Sequence, residues 1–207
     1  LKDMVHANYK KKDIAGMTAS EQLEKINERT RELVTLQYNT YNRSLVPLMH
    51  QHGIVVMDAF EDLSESQAAF VDRYFEDNVY PVLTPMAVDA SRPFPLIRNK
   101  TLNIAALLSK KKGKAEKEEI EFATVQVPSV LPRLVHIPSE DGNEKTFILL
   151  EQVIERNIDK LFLNYDVLCA YPYRVMRNAD LSIDEDEAAD LLKEIQKQLK
   201  MRQWGEV

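Results

Sequence analysis

Three arginines lie where an arginine side chain is able to hold phosphate oxygens. Arg98 follows the stiff turn Pro93–Pro95, Arg133 follows Pro132, and Arg177 ends a long predicted strand. A guanidinium group on a rigid support can bind a phosphate or a carboxylate through two parallel hydrogen bonds. The three side chains are therefore candidate contacts to a polyanion or to a subunit interface. The alternative is that they pair with nearby carboxylates and tie the sheet to its neighbours, and the sequence leaves both open.

The four histidines show no arrangement that is typical of a catalytic or metal site. His50 and His52 are two residues apart near the end of a predicted helix, which places them on different faces. Metal ligands on a helix are three or four residues apart. His136 alternates with apolar neighbours and is predicted to be a strand residue, exposed or half-buried, and His6 lies in the N-terminal tail. A nucleophilic histidine also needs an orienting partner, and the sequence shows none.

Motifs that bind nucleotides or metals are absent from the sequence as well. The five glycines occur singly, and no glycine-rich phosphate loop is present. The acidic run 184–187 is better explained by carboxylates that complement the N-terminal charge of a helix than by a metal site. The basic run 110–114 is followed at once by glutamates, which indicates a solvated hairpin end. The sequence therefore predicts no catalytic, cofactor-binding or metal-binding residue in this chain.

Two capping boxes predict where the N-terminal helices begin. The box at 18–21 precedes apolar residues at spacings of three, four and seven, which predict one helical face from about residue 19 to 51. Gly53 is the expected left-handed residue after the end of that helix. The box at 64–67 begins a second helix that runs to about residue 78. Long helices in so short a chain need packing partners along their length.

A proline-rich segment separates these helices from a strand-rich second half. Four of the nine prolines lie between residues 81 and 95, and proline restricts both its own backbone and the residue before it. Residues 80–105 are therefore predicted to be a stiff, mostly extended connector. Beyond residue 100, alternating apolar positions predict strands and two further helices. The predicted strands are 101–108, 122–127, 131–137, 145–150 and 166–177, and the predicted helices are 150–162 and 182–201.

Together these elements predict an α+β fold with two domains. Residues 1–79 are assigned to a helical-bundle part with long antiparallel helices, and residues 1–17 of it are expected to be a disordered tail. Residues 80–207 are assigned to a largely antiparallel sheet with two helices, because strands that follow one another in groups favour antiparallel pairing.

Composition restricts the class of protein. The 207 residues carry a net charge of −6, whereas a protein whose main partner is a nucleic acid is usually basic over its contact face. A local basic groove on an acidic protein is still compatible with a polyanion ligand. No apolar run approaches the roughly 18 residues of a transmembrane helix. The single cysteine, Cys169, excludes an internal disulfide and fits a reducing compartment, and its apolar neighbours favour a buried, unreactive thiol.

Four segments, taken in their order and spacing, resemble the ATP-dependent polyphosphate kinases of the phosphohistidine type. They are YPVLTPMAVDASRPFPLIRNKTLNIA at 80–105, VPSVLPRLVHIP at 127–138, YRVMRNADLSIDEDEAADLL at 173–192 and RQWGEV at 202–207. The resemblance extends over nearly the whole chain from about Met17. It corresponds to the end of the N-terminal helical domain and to the head, or middle, domain of such an enzyme. Arg92 and Arg174 lie in the same segments as the candidate arginines.

The resemblance implies that the full-length protein transfers the terminal phosphate of ATP reversibly to inorganic polyphosphate. It implies Mg²⁺ and a phosphohistidine in later domains, so that this fragment alone is expected to be inactive and to bind no cofactor. The head domain is implied to frame the active site and to mediate dimer formation, which gives a homodimer or a higher homo-oligomer. The enzyme is expected in the cytoplasm, free or peripherally attached to a membrane, with ATP, ADP and polyphosphate as ligands and without a nucleic-acid partner.

A second interpretation is a stand-alone interaction or scaffold module with no phosphotransfer role. The absence of a catalytic motif and the acidic net charge favour it. A third is a regulatory module that binds polyphosphate through its arginines. The sequence beyond residue 207 separates the first two, because a phosphotransferase requires further domains with a reactive histidine.

Overall fold

The computed structural model of the chain describes residues 1–88, 94–110, 120–139, 142 and 144–177. The chain forms two compact units, Leu1–Val55 and Val56–Val207, whereas the predicted division of the two domains lies at residue 79/80. The sequence candidates that lie outside the described residues are Arg92, the acidic run 184–187, the helix 182–201 and residues 111–114 of the basic run.

The first unit consists mainly of helices. Helix α1 (Lys2–His6) lies within the segment that was predicted as a tail. Helix α2 (Ala19–Thr40) passes through a π-helical turn at Tyr41–Leu45 into helix α3 (Val46–Gln51). The predicted helix from 19 to 51 is therefore confirmed, with Gly53 after it at φ 68°. The wider turn lies just before Pro47, which has no N–H to give to the regular helical hydrogen-bond pattern.

The predicted capping box at the start of α2 is formed. The Thr18 hydroxyl accepts the Glu21 N–H at 3.4 Å, and the Glu21 carboxylate accepts the Thr18 N–H at 2.7 Å. The hydrogen bonds from Thr18 also lower the pKa of Glu21. Both bonds satisfy N–H groups that have no partner within the helix.

We expect Thr18→Ala to destabilise the first unit by about 1 kcal/mol, since removal of an N-cap hydroxyl costs about 0.5–2 kcal/mol. Urea unfolding followed by far-ultraviolet circular dichroism measures the loss. Thr18→Ser is the matched control, because it keeps the hydroxyl and should retain most of the stability. Equal unfolding midpoints for the Ala and Ser variants would show that the cap contributes nothing.

The helices of the second unit begin where the sequence predicts. Helix α4 (Glu65–Tyr74) starts at its capping box, in which the Ser64 hydroxyl accepts the Gln67 N–H at 3.4 Å. It continues as a π-helical turn at Phe75–Val79 and a 3-10 turn at Tyr80–Val82. Helix α5 (Leu150–Arg156) is shorter than the predicted 150–162. The Asn157 side chain donates to the Val153 carbonyl at 3.1 Å, which replaces a backbone bond and ends the helix.

Two sheets complete the second unit. The strands are β1 (Ile54–Val56), β2 (Pro85–Val88), β3 (Leu102–Lys110), β4 (Ile120–Gln126), β5 (Leu134–Ile137), β6 (Lys145–Leu149) and β7 (Tyr165–Arg174). The larger sheet has the strand order β2–β4–β3–β7 and is antiparallel at each pairing. The smaller has the order β1–β6–β5, in which β5 and β6 are antiparallel. The predicted α+β fold with a largely antiparallel sheet is therefore confirmed.

Part of the proline-rich connector belongs to the larger sheet. Strand β2 pairs with β4 from Pro85 opposite Val125 to Val88 opposite Phe122. Proline is tolerated there because it begins an outer strand. The predicted extended conformation is therefore present at these four residues, which form a strand that the sequence did not predict.

The core of the second unit packs α4, its π-helical turn and α5 against the sheets. Val71, Phe75, Ile104, Ile148 and Ile154 are fully buried members of this core. At its surface, Arg156 of α5 holds Asp72 of α4 through two hydrogen bonds of 2.8 and 3.0 Å. These hydrogen bonds lower the pKa of the Asp72 carboxyl. Helices and sheets are thus held as one framework.

The exposure of Cys169 differs from what the sequence predicts. The residue lies on β7 opposite Leu107 and is partly exposed, and Leu107 itself is 39% exposed. The register between β3 and β7 shifts between Leu107 and Leu108, so that Val167 and Ala170 both pack against the core, whereas Cys169 is paired with the exposed Leu107. The prediction of a buried thiol was therefore wrong, because apolar neighbours in sequence do not decide which face of a sheet a residue occupies.

Candidate anion-binding site

A tight turn before β3 supports one side of the candidate site. Lys100 has φ 63°, in the left-handed region. Its N–H donates to the Val175 carbonyl at 2.8 Å, which joins the turn to the end of β7. The Thr101 hydroxyl donates to the Arg98 carbonyl at 2.9 Å, and the side-chain amide of Asn103 donates to the Thr101 carbonyl at 3.0 Å. The turn is therefore fixed on both sides.

Arg177 acts as a clamp on this turn. Its backbone N–H donates to the Asn99 side-chain oxygen at 3.0 Å, and its Nε donates to the Ile97 carbonyl at 2.7 Å. Ile97 is only 4% exposed, so the clamp closes over a buried residue. Among the three candidate arginines, Arg177 is thus hydrogen-bonded to the segment that carries Arg98.

The turn, the end of β7 and the link between β4 and β5 surround a cavity of about 550 Å³. This volume is within the range of about 300–1,000 Å³ that is common for small-molecule sites. The start of β3 and the end of β7 meet here because the two strands are antiparallel neighbours, with Leu102 opposite Arg174. The residues around the cavity include the four cationic side chains Arg98, Lys100, Arg133 and Arg174.

The lining of the cavity carries positive charge without a matching acidic group. Among the described lining residues there is no aspartate and no glutamate, and the uncharged ones are amides, hydroxyls and aliphatic side chains. Neither Lys100 nor Arg174 forms an ion pair within the described part of the chain. Several cations around one concave space attract an anion more strongly than the same cations spread over a surface.

Arg133 is held by an acidic partner just behind the cavity. Its Nε donates to both oxygens of Glu151, at 3.1 and 3.2 Å, and its Nη2 also donates to Glu151 Oε1. The Glu151 side chain is 5% exposed and that of Arg133 is 57% exposed. The hydrogen bonds to Glu151 raise the pKa of Arg133. Pairing with a carboxylate, the alternative that the sequence left open, is therefore present at Arg133, while part of its guanidinium still faces the cavity.

Two of the three predicted arginines, Arg98 and Arg133, line the same cavity. The sequence did not single out Lys100 and Arg174 as contacts, although both lie beside residues that it did. The sequence gives little indication that these two side chains are close in space, because their positions are 74 residues apart and only the strand register brings them together. Lys100 could have been found from its place in the turn after Arg98.

The cationic lining of the cavity suits a small anion. The described residues contain no group of three or more His, Cys, Asp or Glu side chains that could hold a metal ion. His136 packs edge-on against the Phe147 ring at 5.3 Å and is an exposed strand residue, as predicted. His50 lies in the last turn of α3. The cations around the cavity can bind and orient an anion.

Comparisons with known proteins agree on one family. A family profile described as "Polyphosphate kinase N-terminal domain" matches residues 1–57, and one described as "Polyphosphate kinase middle domain" matches residues 66–207. A protein named "Polyphosphate kinase" from Lactiplantibacillus plantarum is 50% identical over 207 residues, which is 100% of this chain and 28% of that protein. One of the same name from Halalkalibacterium halodurans is 47% identical over 206 residues, 99% of this chain and 28% of that protein. The chain thus spans about 28% of the length of these relatives.

A solved structure shows the same fold. It is titled "Crystal Structure of Polyphosphate Kinase from Porphyromonas Gingivalis" and superposes with a TM-score of 0.64 at 24% identity. The match covers 88% of this chain and 30% of that one. Separately, no helix among the described residues is both long enough and apolar enough to cross a membrane.

Proposed function

Because the chain belongs to the polyphosphate kinase family, we propose that it forms the N-terminal and head portion of an enzyme that makes inorganic polyphosphate. The full-length enzyme would transfer the terminal phosphate of ATP reversibly to a polyphosphate chain, through a phosphohistidine in later domains. The observation that carries this proposal is that the two family profiles together match nearly the whole chain, in the order of the family's domains. The predicted division of these domains at residue 79/80 stays a prediction.

ATP and Mg²⁺ are proposed as ligands of the full-length enzyme. Mg²⁺ neutralises the charge that develops on a transferring phosphoryl group, and the surrounding protein supplies positioning. The described residues do not fit either ligand, since they contain neither a cluster of carboxylates nor a glycine-rich phosphate loop. No step of the transfer is therefore assigned to residues of this chain.

The proposed role of this portion is to frame the active site and to support dimer formation. Arg98 and Arg133 are proposed contacts to a polyanion or to a subunit interface, and Arg177 is proposed to position Arg98 through its clamp on Ile97 and Asn99. The full-length enzyme is proposed to be a cytoplasmic homodimer or higher homo-oligomer, free or peripherally attached to a membrane. Its partners would be polyphosphate and the adenine nucleotides, and no nucleic acid.

We expect the 207-residue chain by itself to form no polyphosphate from ATP and Mg²⁺, since the proposed phosphohistidine lies in later domains. The full-length enzyme that contains this chain should form polyphosphate under the same conditions. Metachromatic dye staining, together with measurement of released ADP, reads out both samples. Polyphosphate synthesis by the purified chain would contradict the assignment of the chemistry to later domains.

An interaction module without phosphotransfer is the second candidate function. The observation in its favour is a stripe of exposed apolar side chains along α2 and α3, such as Ile26, Leu33 and Leu48, each about half exposed. Such a stripe is typical of a helix that packs against another element. The protein sequence beyond residue 207 decides between the two functions, because further domains with a reactive histidine would exclude a stand-alone module.

A further inference from the structure

We propose that the cavity between the Lys100 turn and the end of β7 binds a stretch of a phosphate chain that carries no nucleoside, with Lys100 and Arg174 as its main contacts. Pyrophosphate, tripolyphosphate and polyphosphate share this chemistry. The choice of polyphosphate as the natural ligand rests on the proposed function of the full-length enzyme, whereas the binding of a phosphate chain rests on the cavity alone.

Charge is the first argument. Lys100 and Arg174 both line the cavity and belong to two different elements, the turn before β3 and the last residue of β7. They form no ion pair within the described residues, so their charge is not cancelled by a neighbour there. Arg98 adds a third cationic side chain to the same wall. A chain of phosphates carries a negative charge on every unit, and it can therefore meet several of these cations at once.

The Arg133–Glu151 pair supplies the second argument. Glu151 engages the Nε and Nη2 of Arg133, which leaves Nη1 outside the pair. Because Glu151 is buried and Arg133 is 57% exposed, the guanidinium is held on the side of Glu151 and still remains accessible to a ligand. A donor that is fixed in this way loses little side-chain freedom when it binds a phosphate oxygen. Glu151 is thus a positioning residue for the site.

The lining also argues against a nucleotide. The described residues that border the cavity include no aromatic side chain, and their apolar part consists of the aliphatic residues Leu102, Val127, Leu131 and Leu150, together with Pro128. Proteins usually hold a base by stacking it on an aromatic ring or by hydrogen bonds to its edge. Four of the eight polar residues around the cavity are cations, which recognise phosphate, and the described lining residues include no ring on which a base could stack.

The backbone of Lys100 gives a third, independent argument. A lysine at φ 63° is strained, and glycine would adopt this conformation without strain. The strain is maintained by hydrogen bonds on both sides of the turn, from the Lys100 N–H to Val175 and from the Thr101 hydroxyl to Arg98. Strained non-glycine residues cluster at sites where the side chain is used. The side chain that is used here would be the ammonium group at the cavity.

This strain allows binding to be separated from folding. Lys100→Gly removes the charge and relieves the backbone, so we expect the variant to keep its melting temperature. We expect it to bind tripolyphosphate about tenfold more weakly, since a hydrogen bond to a charged group is lost. Arg174→Gln should weaken binding by a similar factor, and the double variant by about a hundredfold if the two contacts are independent.

The measurement is isothermal titration of the 207-residue chain with tripolyphosphate, at two salt concentrations, with circular dichroism on each variant. Lys145→Gln is the matched control, because it removes one positive charge from an exposed position on β6 in the same unit. The control should bind within twofold of the parent chain. ATP, which carries a triphosphate with a base attached, should bind no more tightly than tripolyphosphate.

Three outcomes would overturn the proposal. They are no measurable binding of tripolyphosphate, equal weakening by Lys145→Gln and Lys100→Gly, or ATP binding that is much tighter than that of tripolyphosphate. The proposed function is tested separately by polyphosphate synthesis in the full-length enzyme. If the full-length enzyme makes polyphosphate but the cavity variants bind tripolyphosphate as tightly as the parent chain, the site alone is rejected. If the variants show that tripolyphosphate binds in the cavity but the full-length enzyme makes no polyphosphate, the proposed function is rejected and the site is kept.

Discussion

Replacing Phe75 with alanine is expected to lower the free energy of unfolding of the second unit by about 3–5 kcal/mol, the usual cost of removing a buried phenyl ring. The Phe75 side chain is fully buried at the start of the π-helical turn after α4. Its ring lies edge-on to Tyr80 at 6.0 Å, and the Lys160 ammonium lies 5.7 Å from its centre. Alanine would remove these contacts and leave a cavity where helix and sheets meet.

Urea unfolding of the complete chain, followed by circular dichroism, measures this loss. Phe75→Leu is the control, because it keeps most of the apolar volume and should cost less than about 1.5 kcal/mol. A loss below 1 kcal/mol for the alanine variant would mean that the turn is not anchored in the core as described. Because both variants change the same residue of the second unit, any contribution from the unfolding of the first unit is the same for both and cancels when they are compared.

Replacing Glu155 with glutamine is expected to stabilise the protein at pH 8 and to remove part of its pH dependence. Burial, followed by the nearby negative charges of Glu151 and Glu61, raises the pKa of Glu155 to about 7. The carboxyl therefore keeps its proton in the folded state at pH values where the unfolded chain has already lost it. As the pH rises from about 4.5 through 7, ionisation of Glu155 makes folding progressively less favourable.

The size of this effect is limited by solvent. A rise of the Glu155 pKa from 4.5 to about 7 corresponds to a loss of about 3 kcal/mol in the free energy of unfolding at pH 8 if solvent does not screen the charge. Because the side chain is only partly buried, we expect a loss of roughly 1–2 kcal/mol. Unfolding free energies at pH 5 and pH 8 should differ less for Glu155→Gln than for the parent chain. Glu144→Gln serves as the control, since it neutralises an exposed glutamate of the same unit. An unchanged difference between the two pH values would contradict the raised pKa.

The helices could be predicted from the sequence because their signals are local. The capping boxes at 18–21 and 64–67, and the left-handed Gly53, each act within one turn of helix, and the structure forms all three. Where the prediction was too long, at α5, a single side chain decides the outcome. Asn157 bonds back to Val153 and ends the helix, and an asparagine in a sequence does not reveal which of its possible bonds it makes.

The strand pairing and the anion site depend on contacts that are distant in sequence. Strand β2 exists because residues of the connector reach β4, more than 30 positions later. Likewise, Lys100 and Arg174 share a cavity only because β3 and β7 are neighbours in a particular register. Arg98 could be selected in advance from its stiff turn, whereas Glu151 could not, since nothing in the sequence shows that it faces Arg133. The family could be recognised before the geometry because several ordered segments match it.

In the larger sheet, as the described residues form it, both outer strands contain a proline, Pro85 at the start of β2 and Pro172 within β7. The outer edge of such a strand normally has a row of unpaired N–H and C=O groups with which a strand of another protein chain can pair. Proline interrupts that row because it has no N–H. Misassembly by addition of foreign strands is thereby discouraged along these borders. Two copies of the protein are consequently expected to meet through side-chain surfaces, and not by fusing their sheets into one.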